Sequence, residues 1–371
     1  MSKYNGRVAL QQRVLPAYRG PFVDELARRC TGGLFVFAGD ALPVEQIQHV
    51  EDLETAQLSW GVNRHSFQPG HPLYRCRQPG LLGWLERVDP AILVLEANPR
   101  YPDQLEAAAW MRARSRAVLG WGLGAPPVHG SIGHLRARAR RRLLGQLDGL
   151  IAYSKQGAAQ YRALNILPDN RIFVAPNATG SAASAAPERA PTPGEPLQIL
   201  FVGRLQTRKR VDLLIKAVAA VEQEHLNLVI VGDGPARAEL EALARDIFPR
   251  AHFKGALYDA ALDSAYRQAD LFVLPGTGGL AVQQALQHGL PVIAAEGDGS
   301  QEDMVTSKNG WRIEPGNLDQ LKQALASAAA DRANLAKMGA ASFQQAQNTF
   351  NIVNMADGFI NALNQVESNH G

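Results

Sequence analysis

Residues 198–218 read QILFVGRLQTRKRVDLLIKAV, and this stretch decides the fold. It opens with a short apolar run closed by a glycine, the pattern of a strand buried on both faces. Gly203-Arg204-Leu205 turns the chain, and from residue 211 Val, Leu and Ala recur at helical spacing to about residue 221. Strand, polar turn and apolar-faced helix make half of a βαβ unit, whose strands pair in parallel. Downstream the unit recurs. NLVIVGDGP (227–235) precedes a helix reaching about residue 245, and HFKGAL (252–257), DLFVLPG (270–276) and LPVIAAE (290–296) supply three more strands with helices between. Upstream, GSAASAAPERAPTPGEP (180–196) carries no large apolar residue and reads as a linker. Beyond it the alternation resumes in reverse: strands over 7–15, 33–39, 91–97, 116–122, 150–153 and 171–177, with a helix over about 22–29. The expected class is therefore α/β, with two Rossmann-like parallel-sheet domains facing a central cleft. The first spans 1–180, the linker 181–196 and the second 197–345, and residues 319–368 read as helices.

Composition agrees with two cores. The chain has 371 residues, about two and a half typical domains. With 46% hydrophobic and 20% charged residues, disorder is excluded. No apolar run is long enough for a membrane span, and MSKYNGRVALQQRV at the start lacks the apolar core of a secretory signal. Cys30 and Cys76 cannot form a disulfide framework, so a reducing, cytoplasmic compartment is expected. The net charge of +3 conceals an asymmetry: residues 1–180 carry 22 Lys/Arg against 14 Asp/Glu, and the remainder is net acidic. An anionic partner for the first half follows.

Ligands of open parallel sheets sit outside the carboxyl ends of the strands, so the loops there hold the candidates. Gly203, Arg204 and Lys209 stand between a strand end and a helix N-terminus, where N–H groups, the helix dipole and two cations favour a pyrophosphate. With Arg208 and Arg210 beside them, the same residues also fit a solvated basic loop. GTGG (276–279) opens a second such junction, with Gly278, Gly279 and Leu280 ahead of a helix that carries Gln284. A tight turn that needs glycines for packing fits it equally. Asp233, in the GDGP turn, reads as a turn or capping residue. In the first half PAYRGP (16–21) sets Arg19 and Gly20 before a helix, and Glu96, Asn98 and Arg100 cluster after a strand. In LRARARRRLLGQL (135–147), Leu135, Ala139, Leu143 and Leu147 share a face and arginines fill the rest. Such a helix fits an anionic membrane surface, or a helix packed on its own sheet with a solvated basic side. No aromatic interleaving accompanies the charge, so nucleic acid is not expected.

FVGRLQTRKRVDLLIKAV, LVIVGDGPARAEL, HFKGAL, YRQADLFVLPG and ALQHGLPVIAA resemble, in order and spacing, the nucleotide-binding domain of glycosyltransferase family 4, and DGLIAYSKQGAAQYRALNI…RIFVAPN resembles the close of that family's first domain. The likeness covers roughly residues 140–315. It implies the GT-B fold, a last helix (346–371) crossing back to the first domain, and a sugar transferred with retention from a UDP- or GDP-linked donor. It implies no cofactor and no metal, and the sequence has no Asp-x-Asp. By resemblance Arg204 and Lys209 hold the donor diphosphate. Gly20, Gly203, Gly255, Gly278, Gly279, Leu280 and Gln284 line the donor and Glu96 and Arg100 face the acceptor, while His129 and His134 fit either the acceptor side or plain surface histidines. Two positions depart from the family. Of its paired glutamates, the second falls at Gln284 and the first at Gly276; its first-domain histidine falls at Leu123. The expected partners are a nucleotide-sugar donor, a glycan or lipid-linked acceptor, and a peripheral contact with an anionic membrane on its inner face. A non-catalytic subunit that binds nucleotide-sugar or glycan and a GT-B-fold nucleotide-sugar epimerase are the alternatives.

Overall fold

The computed structural model describes residues 2–45, 47–128, 133–180, 195–221, 226–297 and 299–367. Two compact units divide the chain: residues 1–179 with 352–371, and residues 180–351. Most of the linker predicted at 181–196 lies outside the described residues.

The first unit contains β1 (Val8–Gln11), β2 (Leu34–Gly39), β3 (Gln57–Gly61), β4 (Arg64–Ser66), β5 (Arg75–Arg77), β6 (Ile92–Glu96), β7 (Ala117–Gly122), β8 (Gly149–Ala152) and β9 (Ile172–Val174). Seven of them form one sheet in the order β3-β2-β1-β6-β7-β8-β9, every pair parallel, while β4 and β5 make a separate antiparallel hairpin. The second unit contains β10 (Leu197–Val202), β11 (Leu226–Val231), β12 (Ala251–Gly255), β13 (Leu271–Leu274), β14 (Val292–Ala295) and β15 (Gly310–Ile313). They form a six-stranded parallel sheet in the order β12-β11-β10-β13-β14-β15. Each sheet reverses its strand order once, between β1 and β6 and between β10 and β13. A crevice opens at such reversals, outside the strands' carboxyl ends.

The central strands are buried on both faces, as their unbroken apolar runs require: Ile199, Leu200 and Phe201 of β10 and all of β13 are almost inaccessible. Helix Val211–Ala220 buries Val211, Leu214, Ile215 and Val218 in the same core. In the first unit the helix Ile352–Glu367 is part of the core. Its Phe359 ring lies 5.1 Å from both Phe22 and Trp121, and Met355, Ile360 and Leu363 fill the same layer.

Several elements departed from the sequence reading. The edge strands β3 and β15 carry too few apolar residues to show a buried run, and β4–β5 are three residues each and largely polar. The strand expected over 7–15 ends at Gln11, and the helix expected from 22 begins at Gly20 after a 3₁₀ turn. The basic helix is Gly133–Leu144, but its predicted apolar face is only half used. Leu143 and Leu147 are buried with Leu144, whereas Leu135 is 68% exposed and Ala139 faces solvent.

Candidate functional site

At the β10/β13 reversal, the loops after the two strands are laced together. The backbone N–H of Thr277 donates to the Arg208 carbonyl (3.1 Å), and Arg208 Nη1 donates to the Thr277 hydroxyl (3.1 Å). Lys209 reaches across this seam: Nζ donates to the Thr277 carbonyl at 2.6 Å. Its ammonium lies so close to Gly278 that a Cβ there would collide with it, and its stem passes Gly203. Lys209, Gly203 and Gly278 are thus brought together. Half-buried Arg204 follows on the same loop.

Gly279 then starts helix Leu280–Gln287, whose first internal bond runs from Gln283 N–H to the Gly279 carbonyl. The N–H groups of Leu280, Ala281 and Val282 precede that bond and have no partner within the helix. A cation, a glycine-lined turn and a helix N-terminus therefore share one place, which suits a polyanion. Gln301, fully buried, donates from Nε2 to the Gly278 carbonyl at 2.6 Å and so fixes the glycine turn.

One and a half turns into the helix, Gln284 accepts a hydrogen bond on Oε1 from the hydroxyl of buried Tyr266 (3.1 Å). That bond orients the amide and leaves Nε2 as a donor. The Tyr266 ring is stacked on His288 at 4.9 Å, and His288 is held by the Gln284 carbonyl and Asp263, each at 2.7 Å. Two positions behave otherwise. Gly255 ends β12, two strands away from β10, and its carbonyl accepts the Gly232 N–H at 2.7 Å. Gly276 has no space for any side chain, because a Cβ would strike the Arg208 and Lys209 backbone. Asp233 is the turn residue expected, accepting from the Gly234 N–H (2.7 Å) and from Arg237 (2.9 Å).

In the first unit the expectation for Gly20 is corrected. Its N–H donates to the Ala17 carbonyl, it is buried, and its open side faces Val50 and Leu53. The residue before it, Arg19, occupies the β1/β6 reversal instead, only 5% exposed. Glu96 is there too, at the end of β6, accepting the Arg13 N–H on Oε2 at 2.7 Å. Burial pushes the Glu96 carboxyl up to about 7, against the opposing pull of that N–H and of the Arg13 and Arg19 charges. Arg13 pairs with Glu45 at 2.7 Å, and its charge also bears on His65, Tyr74 and Tyr101. Arg100 is half-buried and lends its carbonyl to the Cys76 N–H (3.0 Å), tying β5 to the β6 loop. His134 is exposed and lines a cavity with Pro126, Val128, Ala137 and Arg140, a lining that includes none of these groups. His129 lies outside the described residues.

Sequence reasoning passed over Thr277, Tyr266, Gln301, Arg13 and the aromatic surroundings of Arg19. Only Arg19 had a visible signal, as a cation set just before the first helix.

Residues 184–345 match the family model for glycosyl transferases group 1. Among curated relatives, a GDP-mannose-dependent alpha-mannosyltransferase of Mycolicibacterium smegmatis is 32% identical over 257 residues, 64% of each chain. A D-inositol 3-phosphate glycosyltransferase of Nocardia farcinica is 28% identical over 282 residues, 70% of this chain and 58% of that protein. The chain thus spans less than two thirds of the length of these relatives. Among solved structures, Anabaena HepE in complex with UDP superposes with a TM-score of 0.73 at 16% identity, over 98% of this chain and all of that one. The family match thus falls within the second unit, and the chain has the GT-B fold.

Proposed function

We propose that the protein is a retaining glycosyltransferase that moves a sugar from a nucleoside-diphosphate sugar to a glycan or lipid-linked acceptor in polysaccharide or glycolipid assembly. One observation carries the reading: Lys209 is lodged against Gly278 at the β10/β13 reversal, ahead of the Leu280–Gln287 N-terminus. The GDP-mannose-dependent relative and the UDP-bound neighbour both handle nucleoside diphosphates, which supports the same donor class. In the reaction the bond from the anomeric carbon to the diphosphate oxygen breaks and the leaving group gains negative charge. Lys209, Arg204 and the helix N–H groups stabilise that charge more in the transition state than in the ground state. The acceptor oxygen bonds to the anomeric carbon on the face the diphosphate leaves, and its proton passes to a departing phosphate oxygen. Gln284, oriented by Tyr266, donates to the ribose, and Glu96 and Arg100 face the acceptor. The positive charge at the leaving group comes from side chains, so no metal is required.

The test is a panel of UDP-, GDP- and dTDP-sugars, scored for thermal shift and for nucleotide release. K209A and R204A are expected to weaken donor binding at least tenfold and to lower turnover by about 10²-fold or more. Wild-type affinity in K209A overturns the assignment. Binding without release in the presence of acceptors identifies a non-catalytic subunit, and isomerised sugar without transfer identifies an epimerase.

A specific contact favours a peripheral setting on an anionic membrane. Arg136 of the basic helix donates from Nη2 to the Pro72 carbonyl (3.2 Å), which ties that helix to the loop between β4 and β5. Phe67 (57%) and Leu73 (56%) of that loop and Leu135 of that helix are exposed, and the helix also carries Arg136, Arg138, Arg140, Arg141 and Arg142. Exposed apolar side chains amid cations fit an anionic lipid surface. No helix among the described residues is long and apolar enough to cross a membrane.

A further inference from the structure

The guanidinium of Arg19 is a buried cation without a carboxylate partner. Among the described residues its one hydrogen bond runs from Nη1 to the sulfur of Met355 (3.8 Å), and it makes no ion pair. Aromatic rings hold it instead: Trp121 at 4.9 Å, Tyr18 at 5.3 Å and Tyr153 at 5.6 Å from ring centroid to guanidinium carbon. Burying a guanidinium without a counter-ion is costly, and the ring faces offset only part of that cost. The nearby carboxylate that acts on it, Glu96, is turned to the Arg13 N–H rather than to Arg19.

Position gives the cation a use. Arg19 follows β1, Trp121 lies near the end of β7, Tyr153 follows β8 and Glu96 ends β6. All four are at the carboxyl edge of the first sheet, around the one place where its strand order reverses. Of the three rings Tyr18 is the most exposed, at 40%. A planar fork with unspent donors, fixed by packing before any ligand arrives, is suited to an oxyanion with several acceptor oxygens.

We infer that Arg19, caged by Tyr18, Trp121 and Tyr153 at the β1/β6 reversal, is a preformed subsite for a phosphoryl group of the substrate. The inference rests on the glycosyltransferase reading for the choice of a phosphoryl group among anions. Two sources share this chemistry: the diphosphate of the donor, or a phosphate carried by the acceptor. It replaces the role first expected of Gly20, whose N–H is already committed within the fold.

The experiment is calorimetric titration of the full-length protein with inorganic pyrophosphate, UDP, GDP and glycerol 3-phosphate, comparing wild type with R19M. Met preserves the packing between the rings and removes the charge. The expected result is at least a tenfold weaker affinity for one class of probe, with a melting temperature at or above that of wild type. Loss confined to pyrophosphate and the nucleotides assigns the donor; loss confined to glycerol 3-phosphate assigns the acceptor. M355L, which removes the sulfur contact and keeps the cation, retains wild-type affinity. R19Q takes the place of R19M if the latter does not fold. Failure of both to fold makes Arg19 a structural staple and overturns the inference. So does R19M binding every probe within twofold of wild type, or a wild type that binds none. K209A separates the two readings. If K209A loses nucleotide and R19M binds every probe as wild type does, the Arg19 inference falls alone; if nucleotide binding survives in K209A, the donor assignment falls and R19M still decides Arg19.

Discussion

At the scale of single residues, the second unit's site depends on absent side chains as much as on present ones. Gly276 lets the loop after β13 touch the Arg208–Lys209 backbone, which places Lys209 against Gly278. Adding one methyl there forces the two loops apart. G276A is expected to cost about 1–3 kcal/mol in urea denaturation and to reduce donor binding together with stability. The same crowding explains why a glutamate has no place at this position. In the first unit Glu96 gives a pH-dependent stability term. Its folded-state value of about 7 lies above the ordinary carboxylate value, so the protonated form is favoured in the folded state. The associated stability is full below about pH 4.5 and is lost as pH rises through 7. E96Q, always neutral, is expected to gain on wild type across that window by on the order of 2–3 kcal/mol, read from urea midpoints at a series of pH values. A difference between the two proteins that stays constant from pH 4.5 to 8 removes this account.

At the scale of elements, the strand-to-helix junctions of the second unit were legible in the sequence because each is local. A buried run, a glycine and an amphipathic helix lie within about twenty residues and need no distant partner. The hairpin β4–β5 was not legible. Its strands are short and polar, and they are tied to the rest of the unit by contacts such as the Cys76 N–H to the Arg100 carbonyl and Arg136 to Pro72, across 24 to 64 positions. The basic helix was read half correctly. Its C-terminal leucines pack on the sheet, while Leu135 joins Phe67 and Leu73 on the exposed surface. Replacing Phe67, Leu73 and Leu135 by Ser is expected to weaken co-sedimentation with vesicles containing anionic phospholipid at least tenfold. Three apolar side chains contribute roughly 1.5–3 kcal/mol each when buried, ample for that change. Folding stability should barely move, since all three are exposed. Vesicle binding equal to wild type, or equal binding to neutral vesicles, would falsify the membrane reading.

At the scale of the whole molecule, the C-terminal helix is the least local feature. It follows the second unit in sequence and belongs to the core of the first. Ile352, Met355, Phe359, Ile360, Leu363 and Val366 are all buried there, and Tyr4 and Arg29 bind its Glu367 and Asp357. At roughly 1.5–3 kcal/mol each, six such side chains match the entire stability of an ordinary domain. Ending the chain at Asn351 is therefore expected to abolish the first unit's calorimetric transition and to keep that of the second. Two transitions surviving in the truncated protein would show the helix to be dispensable.

By itself the sequence determined the two parallel α/β units, the glycine junctions after the strands and the cations Arg204 and Lys209, because strand period, helix period and turn chemistry are encoded within short windows. Tertiary structure alone decided which of those residues meet. It set Lys209 on Gly278 across 69 positions, used the Gly20 N–H inside the fold, and enclosed Arg19 in rings drawn from three separate segments and capped by Met355 from a fourth. Such meetings follow from sheet order and helix packing, which bring residues together that no local pattern relates.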